Sequence, residues 1–425
     1  MFNVRRTFDW EGKYKTTVVD IKSKLLKEAL NDIMEGVKGV SLVEESPVVD
    51  PNLLFLYLED LRDLVKDIKA KVRGGEKMKK KIRKRNELKI KHIKVLMKYL
   101  DKDYAETKKT LYPMLESGLI TFDLLWALFK PNTLAYTSTY GTADEPRAFK
   151  IEYAEKEFSF LKGEWYNIEG RYLEYDGKNW GFGSMDAEVA SFKGARKITS
   201  LACYPLKYHK DEVKMRNQLI ERGKKFVSLQ GVHYKSHEGL AYYKKKRSVI
   251  KVNINGRVMV DPAIHRRILP NYQVSTVKPK EEDEPVDSDD EYDSDEDCGC
   301  DSSDDAGQTP PLVPIDEERA KARANGDEKI DLATGVDGKK DKIEQLKKEA
   351  EAKEKEEEEK KALPVFDDEE YLIASPVVLG FAFAEKLWLE FTVSGIKDIA
   401  WNEGAYESLV LEANTKDIVK VSLFC

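Results

Sequence analysis

Between about Ser275 and Val365 the composition collapses into Asp, Glu, Ser, Lys and Pro. Thr276–Val365 holds 31 acidic and 15 basic residues. A segment of this kind cannot bury enough apolar surface to offset its chain entropy. It is expected to be mobile, with at most a solvated helix over Lys339–Ala362, where Glu and Lys recur four apart. Apolar patterning then resumes: Leu387-Trp388-Leu389-Glu390-Phe391-Thr392-Val393 alternates like a strand. Ala374–Phe383 and Lys386–Val393 are two short apolar segments, and a two-stranded hairpin alone is marginal in water. The charged segment is therefore an insertion, and the strands after it must find their core in the residues before it. Val377, Leu379, Phe381 and Phe383 on one strand, and Leu387, Leu389, Phe391 and Val393 on the other, are the sets expected to face that core. Spanning a long insert costs little more than spanning a short loop, because closure entropy grows as the logarithm of length.

Ahead of the insert the chain reads in two parts. Residues 1–20 carry no clear period. Residues 21–118 are helical in pattern: Ile21, Leu25, Leu26, Leu30 and Ile33 mark one helix face. Asp50-Pro51 reads as a cap followed by proline at the first helical position. Gly74-Gly75 then precedes a long basic helix. Residues 119–274 are β-rich, beginning with the aromatic stretch Leu119–Thr137. Glu164–Gly183 reads as strands turning at Asp176-Gly177. Ser248–Asp261 reads as a hairpin turning at Asn255-Gly256, since Asn-Gly tolerates positive φ. Lys210–Arg222 reads as a helix ended by Gly223. The expected fold is α+β: a helical N-terminal region, a β-rich central domain carrying the acidic insertion 275–365, and strands in 366–401 that rejoin it.

The net charge is −6; the insert alone carries −16, so the rest of the chain is basic, at +10. Four cysteines make no disulfide framework, and Met1–Lys15 has no apolar leader, which points to the cytosol or nucleus. The uncharged run Leu372–Ala384 is shorter than the ~20 residues a bilayer requires, so no membrane partner is expected.

No motif points to an active site. Gly177–Gly183 lacks the Gly-Lys-Ser/Thr ending of a phosphate-binding loop. His233 and His237 stand four apart without the glutamate of a zinc-protease helix, and Cys298 and Cys300 lie in an acidic run without a histidine. Catalytic, cofactor-binding and metal-ligating residues are accordingly set at none. Lys77–Lys94 carries ten basic residues, but Ile82, Ile90, Ile93, Leu96 and Leu100 keep an apolar stripe. That favours the solvated face of a long helix over a nucleic-acid patch or an import tag. Ser288, Ser294 and Ser302 stand three residues before an acid, the spacing acidophilic kinases read, against the plainer reading of a solubilising spacer.

The chain resembles the N-terminal region of a family of large fungal AAA+ ATPases, a region with no assigned function. The stretches that carry the resemblance are Ile120–Thr133, Phe192–His209, Leu219–Gly239, Asn255–Pro262 and Ser375–Leu411. The resemblance implies that residues 402–425 are the entry to an ATPase module. It implies that Walker and arginine-finger residues, ATP, Mg and a hexameric ring belong to a longer form. Val421–Cys425 departs from the family pattern and reads as translated intron. The role implied is binding of a protein client, without ATPase activity in this chain. The alternative is a stand-alone binding protein, nuclear in one version, that engages basic partners through its acidic insert.

Overall fold

The computed structural model describes residues 1–38, 42, 44, 47–73, 80–246, 248–279, 363–402, 404, 408, 410–412 and 415–416. Met1–Lys280 and Pro364–Cys425 form one compact unit. Glu281–Leu363 is a second unit, and all of it but Leu363 lies outside the described residues. The expected helix over Lys339–Ala362, Cys298, Cys300, Ser288, Ser294 and Ser302 fall there. The expected entry segment 402–425 lies mostly outside the described residues as well. Among the described residues no helix is long and apolar enough to cross a membrane.

The first twenty residues, which show no period, form a hairpin of β1 (Phe2–Phe8) and β2 (Tyr14–Ile21). Asp9 caps its turn by accepting from the backbone N–H groups of Glu11 and Lys13. Arg5 grips Asp20 across the pair at 2.7 and 2.8 Å, and Val19 and Ile21 point into the core. α1 (Lys24–Ile33) starts at Ser23, whose hydroxyl accepts from the Leu26 N–H, and buries Leu26, Ala29 and Leu30. After β3 (Val48–Val49), Asp50 caps α2 (Pro51–Leu56) with proline at its start, as the sequence predicts. α3 (Leu58–Arg73), α4 (Lys80–Asp103) and α5 (Ala105–Glu116) complete the helical layer. On α4 the buried stripe is Ile90, Ile93, Leu96 and Leu100, the helical spacing, whereas Ile82 is exposed.

After β4 (Leu119–Thr121) come four long antiparallel neighbours: β5 (Leu134–Thr139), β6 (Thr142–Ser159), β7 (Gly163–Tyr175) and β8 (Trp180–Ala190). The turn between β7 and β8 falls at Asp176-Gly177, as expected: Asp176 accepts from Lys178 and Asn179, and Gly177 has φ 101°. With β10 (Cys203–Pro205) and β13 (Lys278–Pro279) these make a six-stranded sheet, ordered β10-β5-β6-β7-β8-β13; β9 (Ala195–Lys197) pairs with β4. Period-two alternation sends neighbouring residues to different cores. Phe149, Ile151 and Tyr172 join the helices, while Ala148, Leu173 and Tyr175 join the second core. The helical region and the sheet thus share one core. Gly170 lies under Phe149, where a β-carbon would stand 2.3 Å from the ring.

The second core lies between that sheet, α6 (Glu212–Val227) and a closed ring of strands. β11 (His233–Lys245) pairs with β12 (Ser248–Val260). α7 (Pro262–Ile268) follows β12, and α8 (Asp368–Leu372) leads in from the insert. β12 pairs with β14 (Val377–Ala382), β14 with β15 (Leu387–Thr392), and β15 back with β11. β16 (Ile396–Lys397) adds to β11. The strands after the insert therefore rejoin the β domain, and the α+β architecture holds.

Three local expectations are corrected. Asn255-Gly256 is not a turn: β12 runs straight through it, with Gly256 opposite His237, and the chain reverses between Lys245 and Ser248. A two-strand pairing over thirteen residues outweighs the turn preference of one dipeptide. Gly223 does not end α6, which continues to Val227; a β-carbon there would stand 2.0 Å from the Tyr371 carbonyl oxygen. Its role is to let α8 lie against α6. On β14 the phase is opposite to expectation: Val378 and Ala382 enter the second core with Leu389 and Phe391, while Phe381 meets Trp388 on the other face at 5.1 Å. The cause is the register, which sets Val378 opposite Phe391.

Candidate functional site

Two features of the sheet stand out chemically. The first is the far end of the β6–β7 hairpin. β5 pairs with β6 only as far as Lys150, while β6 and β7 continue together to Ser159 opposite Gly163. Gly163 (φ 77°) closes the turn, and the Leu161 N–H donates to Ser159 Oγ at 3.4 Å. Phe158, Phe160 and Leu161 are left 63%, 98% and 100% exposed. The two phenyl rings meet edge to face, 5.6 Å apart. Lys156 pairs with Glu164 at 2.9 Å, and Lys162 lies 4.2 Å over the Trp165 ring, so the flanking cations are spent along the strands. The tip offers bare apolar area, worth about 1.5–3 kcal/mol per side chain when fully buried.

The second feature is a cavity of about 400 Å³ between the six-stranded sheet and the strand ring. The β5–β6 turn is Tyr140-Gly141, both with positive φ, and the left-handed Tyr140 (φ 48°) sends its hydroxyl to Glu390 Oε2 at 2.6 Å. Tyr272 donates to Glu390 Oε1 at 2.8 Å, and Lys244 Nζ stands 3.6 Å from the same oxygen. Burial, and then the Glu390 charge, push both tyrosine hydroxyls well up, so they stay protonated donors. Glu390, buried on β15, is thereby a satisfied acceptor with both oxygens occupied.

Arg147 on β6 is the reverse case. It is only 8% exposed and lines the cavity, with its guanidinium 4.3 Å over the Tyr172 ring. Its Nε has no hydrogen-bond partner, and among the described residues Arg147 forms no ion pair. Tyr172 is in turn held by Ser275 Oγ at 3.0 Å, which donates to the Ser184 carbonyl at 2.6 Å; burial pushes the Tyr172 hydroxyl up to about 12. Glu174, two residues along β7, accepts from the Tyr175 N–H at 3.0 Å, and burial raises its pKa. Of the four carboxylates that line the cavity, Glu390 has both oxygens occupied, while the Arg147 guanidinium has a donor left over.

The residues the sequence singles out lie elsewhere. His233 and His237 are on β11, not a helix: His233 Nε2 is 2.7 Å from the Gln230 carbonyl, and the buried His237 Nε2 is 3.2 Å from Thr392 Oγ1. Among the described residues no cluster of three or more His, Cys, Asp or Glu side chains could hold a metal. Within the basic run, Arg85 reaches Glu28 and Lys89 reaches Asp32, so part of that face is used against α1. Lys77 to Lys79 lie outside the described residues. The exposed hairpin tip and Arg147, Tyr172 and Glu174 escape sequence reasoning. Glu390 alone leaves a trace, as one charge inside the apolar run Leu387–Val393.

No curated protein and no solved structure matches this chain. Residues 110–210, which run from α5 past β10 and carry the hairpin tip, Arg147, Tyr172 and Glu174, match a family described as "Domain of unknown function (DUF7025)".

Proposed function

We propose that this chain is the partner-binding portion of an AAA+ ATPase-like protein of the cytosol or nucleus, and that it has no ATPase activity of its own. Its partner is a protein client, not nucleic acid. ATP, Mg and a hexameric ring belong to a longer form in this reading. The resemblance of Ile120–Thr133, Phe192–His209, Leu219–Gly239, Asn255–Pro262 and Ser375–Leu411 to the N-terminal region of such ATPases supports it.

The observation that carries the binding role is the β6–β7 tip. Phe158, Phe160 and Leu161 stand bare on a chain whose charged fraction is 35%. Clustered exposed apolar side chains mark contact surfaces. The test is site-specific photocrosslinking from position 160 of the intact chain in extract of its own cells. A discrete protein adduct, lost when Phe158 and Leu161 become serine while the melting temperature holds, is expected. An adduct that persists in that variant would remove the hairpin from the binding role. ATP turnover by the purified chain that survives repurification, and is lost on mutating one of its own residues, would refute the non-catalytic role.

A further inference from the structure

The cavity carries an inference that stands apart from the client-binding role. We infer that it is a binding site for a small ligand bearing a single carboxylate, clasped by the Arg147 guanidinium against the Tyr172 ring. Three observations converge. Arg147 is 8% exposed, it lines the cavity, and its Nε is unpartnered. Glu174 feels the Arg147 charge through space but does not contact it, and a buried guanidinium with an unused donor is costly unless something supplies the acceptor. A carboxylate matches its planar fork, accepting two parallel N–H bonds. Tyr172 stacks on the guanidinium face, and the Nε–H on its edge is left without a partner.

The cavity wall limits how much negative charge can enter. Glu174, Asp186, Glu188 and Glu390 all line it beside Arg147 and Lys244. A polyphosphate would be driven among four acids by two cations, whereas a single negative charge needs only the guanidinium. Glu390 is not a competitor for Arg147, because Tyr140, Tyr272 and Lys244 already hold it. A free α-amino acid and a simple organic acid share the required carboxylate. Asp186 would suit the ammonium of the former, whereas Glu188 already pairs with Lys162. About 400 Å³ accommodates either.

The test uses the intact chain labelled with 15N, reading the Arg147 Nε–H resonance, identified by its loss in Arg147→Lys. The probes are L-alanine, propionate, methyl propionate and inorganic phosphate. A saturable shift with alanine or propionate, and none with the ester, is expected. The tighter of the two acids names the source. In Arg147→Lys, read at neighbouring backbone amides, the Kd should rise about ten- to hundredfold, the cost of losing charge-assisted hydrogen bonds. Should that variant fail to fold, the wild-type titration decides alone. No saturable shift with either acid, an equal shift with the ester, or binding of phosphate without carboxylate would overturn the inference.

Discussion

Replacing Phe391 by alanine tests whether the strands beyond the insert hold the second core together. Phe391 is fully buried on β15, registered opposite Val378 on β14 and Ala241 on β11, with its ring 5.1 Å from that of His237. A buried phenyl ring removes about 200 Å² from water, which at about 25 cal/mol per Å² sets an upper bound near 5 kcal/mol. Alanine keeps a small part of that and leaves a cavity in a packed ring of four strands. The expected loss is about 3–5 kcal/mol. Urea unfolding followed by Trp180 fluorescence reads it well, because Trp180 packs against Tyr175 and Phe226 in the same core, far from position 391 in sequence. With a slope of roughly 3 kcal/mol per molar urea, the midpoint should fall by about 1 M or more. Phe160→Ala, at the bare hairpin tip, should shift stability by no more than about 0.5 kcal/mol and serves as the control. A loss under about 1 kcal/mol at Phe391, or a Trp180 transition that ignores it, would show that β14 and β15 fold as a separate unit.

Two further outcomes follow from the packing. Burial lowers the pKa of His237 and His265 to about 4, with Arg266 adding to the effect on His265. The unfolded chain therefore binds more protons between about pH 6.5 and 4, so their contribution to stability is complete above that window and is lost as the pH falls through it. Each should cost about 1–2 kcal/mol by pH 5. The urea midpoint of His265→Phe, which keeps a ring between Tyr272 and Trp388, should decline less with acid than wild type; equal slopes would contradict this. The difference isolates the imidazole from Glu174, whose raised pKa contributes the opposite slope. Gly223→Ala, normally favourable in a helix, should here destabilise by about 1–3 kcal/mol because its methyl group strikes the Tyr371 carbonyl. A stabilised variant would mean that α8 can lift from α6 without loss.

What the sequence determined by itself is what depends on near neighbours in the chain. The Asp50-Pro51 start of α2, the Ile90–Leu100 stripe of α4 and the Asp176-Gly177 turn all rest on residues within a few positions of each other. The need of Leu387–Thr392 for a core elsewhere was also legible, because too little apolar surface follows the insert to form one. Only the tertiary structure decided which partner each strand takes. Register against β15 chose the inward face of β14, a thirteen-residue pairing with β11 overrode Asn255-Gly256, and contact with Tyr371 explains Gly223. The cavity is the extreme case: Arg147, Tyr172, Lys244 and Glu390 come from four strands spread over some two hundred and forty residues. No local period links them, because side chains meet there through strand pairing, whose specificity resides in packed faces and not in the spacing of residues along the chain.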